Sequence, residues 1–163
     1  MEKNKIWIPN KNNSWIIAEI LDNTNSEITV KIDNKIIQIK KKETRLVNKI
    51  SNFKDLNNLI NLVHLHEPSL LHAVTKRYYQ DMIYTLTGPI LLAINPFKKL
   101  DIYDESIIMD YYKLDNNKPH VYKISSIALN NLIKHKENQS ILISGESGAG
   151  KTVSAKFIMN YLS

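Results

Sequence analysis

The octapeptide Gly145-Glu146-Ser147-Gly148-Ala149-Gly150-Lys151-Thr152 satisfies G-x-x-x-x-G-K-[ST] at every fixed position. It constrains the fold more than any other stretch, because such a loop works only between a strand and a helix. Upstream, Gln139-Ser140-Ile141-Leu142-Ile143-Ser144 is short, apolar and β-branched, which predicts a buried strand. Downstream, Val153, Lys156, Phe157, Met159, Asn160 and Leu162 alternate apolar and polar character at helical spacing. Three glycines let the backbone form a concave ring of N–H groups that side chains would obstruct. The N-terminus of the following helix adds roughly +0.5 charge, aimed at the same anion. Lys151 offers a mobile cation to β- and γ-phosphates, and the Thr152 hydroxyl is placed to ligate Mg²⁺. The residues predict a nucleoside-triphosphate site.

Hydrolysis needs more than this loop: a strand-borne acid to hold Mg²⁺ and a group to orient the attacking water. Only eleven residues follow Thr152. The chain therefore reads as the front end of a larger nucleotide-driven machine, with exposed apolar surface and marginal stability on its own. The 163 residues alone are expected to bind nucleotide weakly and to lack turnover.

Hydrophobic content of 43% with 23% charged residues is that of a soluble globular protein. The absence of cysteine excludes a disulfide scaffold and thiolate metal sites. A net charge of +6 would suit nucleic acid, but the basic residues are dispersed and the one tight run is Lys40-Lys41-Lys42. Such a run reads as a solvated strand end, so nucleic acid is not an expected partner. Met1-Glu2-Lys3-Asn4-Lys5 leads into Ile6-Trp7-Ile8-Pro9, and no apolar run is long enough to span a bilayer. A cytoplasmic setting is expected.

Residues 1–50 read as a small antiparallel β-barrel domain. Ser14–Leu21 is a strand, and Ile28, Val30 and Ile32 alternate with polar residues. Asp33-Asn34 suits a hairpin turn, and Ile37 and Ile39 mark the return strand. Trp7 and Trp15 are expected in the barrel core. Residues 51–163 read as mixed α and β. Asn48–Asn61 is polar enough for a linker with one short helical turn. A helix is predicted over about Glu67–Tyr79, with Pro68 in its first turn and Leu70, Leu71, Val74 and Tyr78 on its buried face. Strands over Ile83–Leu86 and Pro89–Ile94 flank Thr87-Gly88, and helices follow over about Asp104–Tyr112 and Val121–His135. The predicted fold class is a small antiparallel β-barrel followed by the beginning of an α/β phosphate-loop NTPase core.

Several stretches, in order, resemble the N-terminal part of a myosin motor domain. GESGAGKT at Gly145–Thr152 is that family's narrow form of the phosphate loop, and Asn138-Gln139-Ser140 matches the NQS that leads into it. Asn95-Pro96-Phe97-Lys98 with Ile102-Tyr103 resembles the purine-binding NPFKxxPIY loop. Leu65–His72 resembles LNEPSVLHNL, Ile83-Tyr84-Thr85 resembles LIYTYSG, and Pro119-His120-Val121-Tyr122 resembles PHIF. Trp7-Ile8-Pro9, Trp15, Ala18–Leu21 and Thr152–Lys156 resemble class V myosins, in which a barrel of the Src-homology-3 type precedes the motor.

The resemblance implies an actin-based motor that hydrolyses MgATP, with actin filaments as track and light chains or cargo as further partners. The loop Gly145, Glu146, Ser147, Gly148, Ala149, Gly150, Lys151 and Thr152 would hold the phosphates, Thr152 also Mg²⁺. Asn95, through its amide, Lys98 and Tyr103, through its ring, would border the adenine. His66, His72 and His120 have neither metal-site spacing nor a nucleophile nearby, so structural roles are expected. Asp101 stands where the family has Pro, which puts a carboxylate on the purine side. Lys123 and Ser126 depart from the AIAD-like residues after PHIF, a change expected to touch only the helix surface. Two other readings compete: a different phosphate-loop enzyme such as a nucleoside kinase, and a non-catalytic nucleotide- or partner-binding module. The first would place its loop nearer the N-terminus; the second fits the chain taken alone.

Overall fold

Isoleucine alternating with polar residues at period two gives the first fifty residues their strands. The computed structural model describes residues 4–11, 14–113 and 116–163; Met1–Lys3 lies outside them. They form two compact units. One takes the chain through Ser51 together with Leu62–Ala73, the other Asn52–Asn61 together with Val74–Ser163.

In the first unit, β1 (Lys5–Asn10), β2 (Ser14–Asn23), β3 (Glu27–Ile32), β4 (Lys35–Lys40) and β5 (Arg45–Leu46) form one sheet in the order β4-β3-β2-β1-β5. Every pairing is antiparallel. Asp33 turns the β3–β4 hairpin at φ +50°, a conformation Asp tolerates through its short polar side chain. Ile6, Ile8, Ala18, Ile28 and Val30 form the core, with Ile16, Ile20, Ile32 and Ile39 packed around them. Lys40–Lys42 lies exposed where β4 runs into a 3₁₀ turn.

The tryptophans require a correction. Trp7 is buried, but it sits between Ile6 and Ile8 and so faces the other side of the sheet, where its ring meets His72 edge-on at 5.3 Å. Trp15 shares that side and is only half-buried. Its Nε1 donates to Glu67 at 3.3 Å, and the Arg45 guanidinium lies 5.7 Å from its ring centre. Strand parity, not hydrophobicity, decides which residues enter the isoleucine cluster.

The helix α1 (Glu67–Tyr78) begins in this unit and ends in the next. Its deepest residues are Ser69, Ala73 and Arg77, each four apart, whereas Leu71 is 54% exposed. The expected leucine face is thus displaced by a stripe of small and hydrogen-bonding side chains, which permit closer backbone approach.

In the second unit, Asn52–Asn61, most of the expected Asn48–Asn61 linker, packs against the rest of the unit, with the expected short helical turn at Leu59–Asn61. Leu59 is buried, the Leu86 amide donates to the Asn57 carbonyl at 2.9 Å, and the Gly88 amide donates to Asn58 Oδ1 at 3.0 Å. The hairpin β6 (Tyr84–Thr87) and β7 (Ile90–Ala93) is followed by α2 (Glu105–Tyr112), α3 (Val121–His135) and α4 (Lys151–Leu162). Their shared core is Ile83, Tyr84, Tyr111, Val121, Tyr122, Ile158 and Tyr161. Ser126, expected on the helix surface, is buried and donates to the Tyr111 carbonyl at 3.0 Å. Lys123 does stay at the rim, its Nζ donating to the Asn117 carbonyl at 3.0 Å.

The strand expected at residues 139–144 does not form. Ile141 and Ile143 pack on the core while Leu142, between them, is 93% exposed. The alternation of a strand is present, but no described strand pairs with the segment. Both sheets are antiparallel, and a strand exists only where a neighbour completes its ladder.

Candidate nucleotide site

The loop after this extended segment turns on two glycines. Gly148 lies at φ +80° and Gly150, the N-cap of α4, at φ +95°. A side chain at either position would be strained whatever the space around it. The loop is open to solvent from Gly145 through Ala149. The first N–H groups of α4 have no intrahelical acceptor, and no acidic residue occupies its first turn to compete for an incoming anion. Lys151 begins the helix and folds back along the loop. Its Nζ donates to the carbonyls of Gly145 at 2.8 Å and Glu146 at 2.9 Å. Thr152 follows on the exposed face of the same turn. The eight residues named from sequence thus make a largely exposed loop, with the lysine side chain folded back onto its carbonyls.

Beside the loop is a cleft of about 540 Å³, lined by Ile83 and Tyr84 of the hairpin, residues 93–101, Tyr103, Asp104, and Ala149, Gly150, Val153, Ser154 and Phe157. All three residues expected on the adenine side line it. Asn95 hooks its own turn, Oδ1 accepting from the Phe97 amide at 2.9 Å, while Nδ2 donates to the Gly148 carbonyl at 2.8 Å. The turn holds Phe97, 84% exposed, at φ +51°, an uncommon conformation for an aromatic residue. Lys98 Nζ pairs with Asp81 at 2.5 Å, both side chains 55% exposed, so the pair steers the loop more than it stabilises it. Asp101 is exposed on the cleft wall and puts a carboxylate there.

Tyr103 is the best-anchored residue of this loop. Its ring stacks on Phe157 of α4 with centroids 3.6 Å apart and 5° between planes. Its hydroxyl shares a hydrogen bond of 2.9 Å with that of Tyr84, and its carbonyl accepts from the Tyr122 hydroxyl at 3.1 Å. Burial, then the mutual hydrogen bond, drives the Tyr84 phenol far above its ordinary range. Burial likewise raises Tyr103 and Tyr122, and raises Tyr111 to about 12. All four hydroxyls remain protonated donors.

At the centre of these rings is His120. It caps α3 by accepting from the Tyr122 amide at Nδ1, 3.1 Å away, so its proton resides on Nε2. Tyr111 stacks on it at 5.2 Å, and Tyr84, Tyr103 and Tyr122 approach within 4.6–5.5 Å. Burial pushes its imidazole down to about 4, against a smaller upward pull from the Ile102 backbone. His120 is therefore neutral and structural. His66 has a structural contact as well, its Nε2 bonding the Leu46 carbonyl at 2.8 Å.

The sequence reading missed Arg77. This residue is buried to 2% exposure, and its guanidinium donates to Thr85 Oγ1 at 2.9 Å and to the carbonyls of Phe53 at 2.8 Å and Tyr84 at 3.0 Å. It fixes the hairpin that carries one wall of the cleft. No local signal distinguishes it from a surface arginine at a helix end, since its partners lie seven to twenty-four residues away.

The sequence profile of the myosin head (motor domain) matches residues 56–163, from Leu56 to Ser163. The chain belongs to the myosin head family. It is 41% identical over 157 residues to Myosin-1 of Arabidopsis thaliana, an alignment covering 96% of this chain and 13% of that protein. It is 40% identical over 163 residues to the Myosin-H heavy chain of Dictyostelium discoideum, covering 98% and 9%. Myosin-3 of Caenorhabditis elegans is 38% identical over 162 residues, covering 98% and 8%. The chain spans about a tenth of the length of these myosins. Among the described residues no helix is long and apolar enough to cross a membrane. No group of three or more His, Asp or Glu among them could hold a metal ion.

Proposed function

We propose that this chain forms the adenine and phosphate side of the MgATP site of an actin-based, cytoplasmic motor. The observation that carries the reading is the phosphate loop itself: left-handed glycines, a helix with no acidic residue in its first turn, and a lysine reaching back to the loop carbonyls. The adjoining cleft of about 540 Å³ is of a size for a nucleoside. Membership of the myosin head family supports ATP as the nucleotide, actin as the track, and light chains or cargo as partners of the intact protein.

The residues fit the triphosphate better than they fit the metal alone. Thr152 contributes one hydroxyl, which suits Mg²⁺ because that ion takes few protein ligands and several from phosphate and water. When bound, Mg²⁺ supplies charge neutralisation between the β- and γ-phosphates. Lys151 exchanges its two carbonyl partners for phosphate oxygens, a stronger, charge-assisted contact. The loop amides and the α4 N-terminus orient the tail; Asn95, Lys98 and Tyr103 border the base; Asp101 sits on the rim.

Calorimetry on the full-length protein tests the reading. Mg-ATP should bind, and Lys151→Ala should weaken it by about 10- to 100-fold, the value of losing a charge-assisted hydrogen bond. Uptake indifferent to that charge, or none in the wild type, would overturn the assignment.

A further inference from the structure

We infer that Asn95 is a positioning residue for the phosphate loop, setting the orientation of the Gly148–Ala149 peptide through its hydrogen bond to the Gly148 carbonyl. The inference rests on the nucleotide-site reading above. It gives Asn95 a task distinct from touching the base.

Both ends of the Asn95 carboxamide are engaged. Oδ1 accepts from the Phe97 amide at 2.9 Å and Nδ2 donates to Gly148 O at 2.8 Å. Only this orientation satisfies both partners, because the Phe97 N–H needs an acceptor and the carbonyl a donor. The base of the residue is held as well: the Tyr78 hydroxyl donates to the Asn95 carbonyl at 3.4 Å, and the Ile94 amide donates to the Ile83 carbonyl at 3.0 Å. The carboxamide is thus a strut from the end of the β6–β7 hairpin to the middle of the phosphate loop.

What the strut controls follows from peptide geometry. The C=O and N–H of one trans peptide point in opposite directions. Drawing the Gly148 carbonyl toward Asn95 therefore turns the Ala149 N–H to the other side, where it donates to the Glu146 carbonyl at 3.2 Å. Gly148 has φ +80° and open space where a Cβ would be, so little besides hydrogen bonding opposes rotation of this peptide. One such bond, with the usual net strength, biases the rotation about five- to tenfold. That bias decides how many loops present their amides in one arrangement before a phosphate arrives.

The test compares Mg-ATP with Mg-tripolyphosphate, which has neither base nor ribose, on the full-length protein. Asn95→Ala removes both contacts of the carboxamide. Asn95→Ser keeps an acceptor for the Phe97 amide and is too short to reach Gly148. Both variants should lose affinity for the two ligands by the same factor, about five- to tenfold, and hydrogen exchange at the Ala149 amide should quicken by a similar factor while that at Ile94 is unchanged. Loss of ATP affinity with tripolyphosphate unchanged would assign Asn95 to the nucleoside and overturn the inference. So would exchange that quickens equally at Ala149 and Ile94, since the substitution would then loosen the hairpin itself, or no change in either affinity. Wild-type protein that binds neither ligand would instead sink the nucleotide-site reading.

Discussion

Ile6, Ile8, Ala18, Ile28 and Val30 close the core of the N-terminal sheet without a polar side-chain atom among them, whereas Tyr84, Tyr103, Tyr111, Tyr122, Tyr161 and His120 crowd the core of the second unit with polar atoms. The first core needs only volume and parity. The second also needs directions: Tyr84 to Tyr103, Tyr122 to the Tyr103 carbonyl, and Tyr111 to the Lys118 carbonyl at 3.1 Å. Non-directional burial can support a sheet, but it cannot hold a loop at one angle. The hydrogen-bonded rings do so for Tyr103, and with it the wall of the cleft. Specificity of position is located where the chemistry is proposed to be.

The two cores carry separate optical labels. Both tryptophans of the chain lie in β1 and β2, and all eight tyrosines fall between residues 78 and 161. Tryptophan fluorescence therefore reports on the sheet, and tyrosine near-ultraviolet circular dichroism on the ring cluster.

The largest effect is expected from Arg77→Met, which takes the guanidinium donor away from the buried Thr85 Oγ1 and Tyr84 carbonyl and from the part-buried Phe53 carbonyl. A loss of about 4 kcal/mol is expected, and the tyrosine transition should move further than the tryptophan transition in a urea series. Equal movement of both signals would break the contrast between the cores.

Acid is expected to act next. His120 ordinarily titrates near 6.5 and in the fold near 4. Between those values the unfolded chain binds a proton that the folded chain refuses. The stability it contributes is therefore complete above about pH 6.5, is lost as the pH falls towards 4, and changes no further below that. The full loss is on the order of 3 kcal/mol. Tyrosine-detected unfolding at pH 7, 5 and 4 measures it, and His120→Asn, which can still cap the helix, should flatten the dependence. A slope that survives this substitution would place the titrating group elsewhere.

Ile28→Val sharpens the comparison from the other side. Removing one methylene from the apolar core should cost about 1 kcal/mol and shift the tryptophan midpoint with little movement of the tyrosine one. A larger tyrosine shift would mean that the sheet core is not a separate unit energetically.

Local chemistry was legible in the sequence. The glycines of the phosphate loop, the Asp33 turn, the Gly88 hairpin and the helix over Val121–His135 each depend on residues within a few positions, and each stands where the pattern places it. Placements that depend on distant partners were not legible. Leu71 is exposed because Ser69, Ala73 and Arg77 occupy the packed side of α1. Val153, Met159 and Leu162 are exposed while Ile158 and Tyr161 are buried, so apolar character in α4 marks two faces and only contact chooses one. Asn52–Asn61 looked like a linker because its bonds run to residues far along the chain. At the candidate site, the loop residues proposed for the phosphates came from spacing. The bracing by Arg77, His120 and Tyr84 required coordinates.

The segment from Ser140 to Ser144 has a consequence beyond its failure to become a strand. It is uncharged and free of proline, with Leu142 exposed to solvent between the packed Ile141 and Ile143. Among the described residues no strand pairs with it, and an apolar, uncharged run of this kind is a template on which a second strand edge can add.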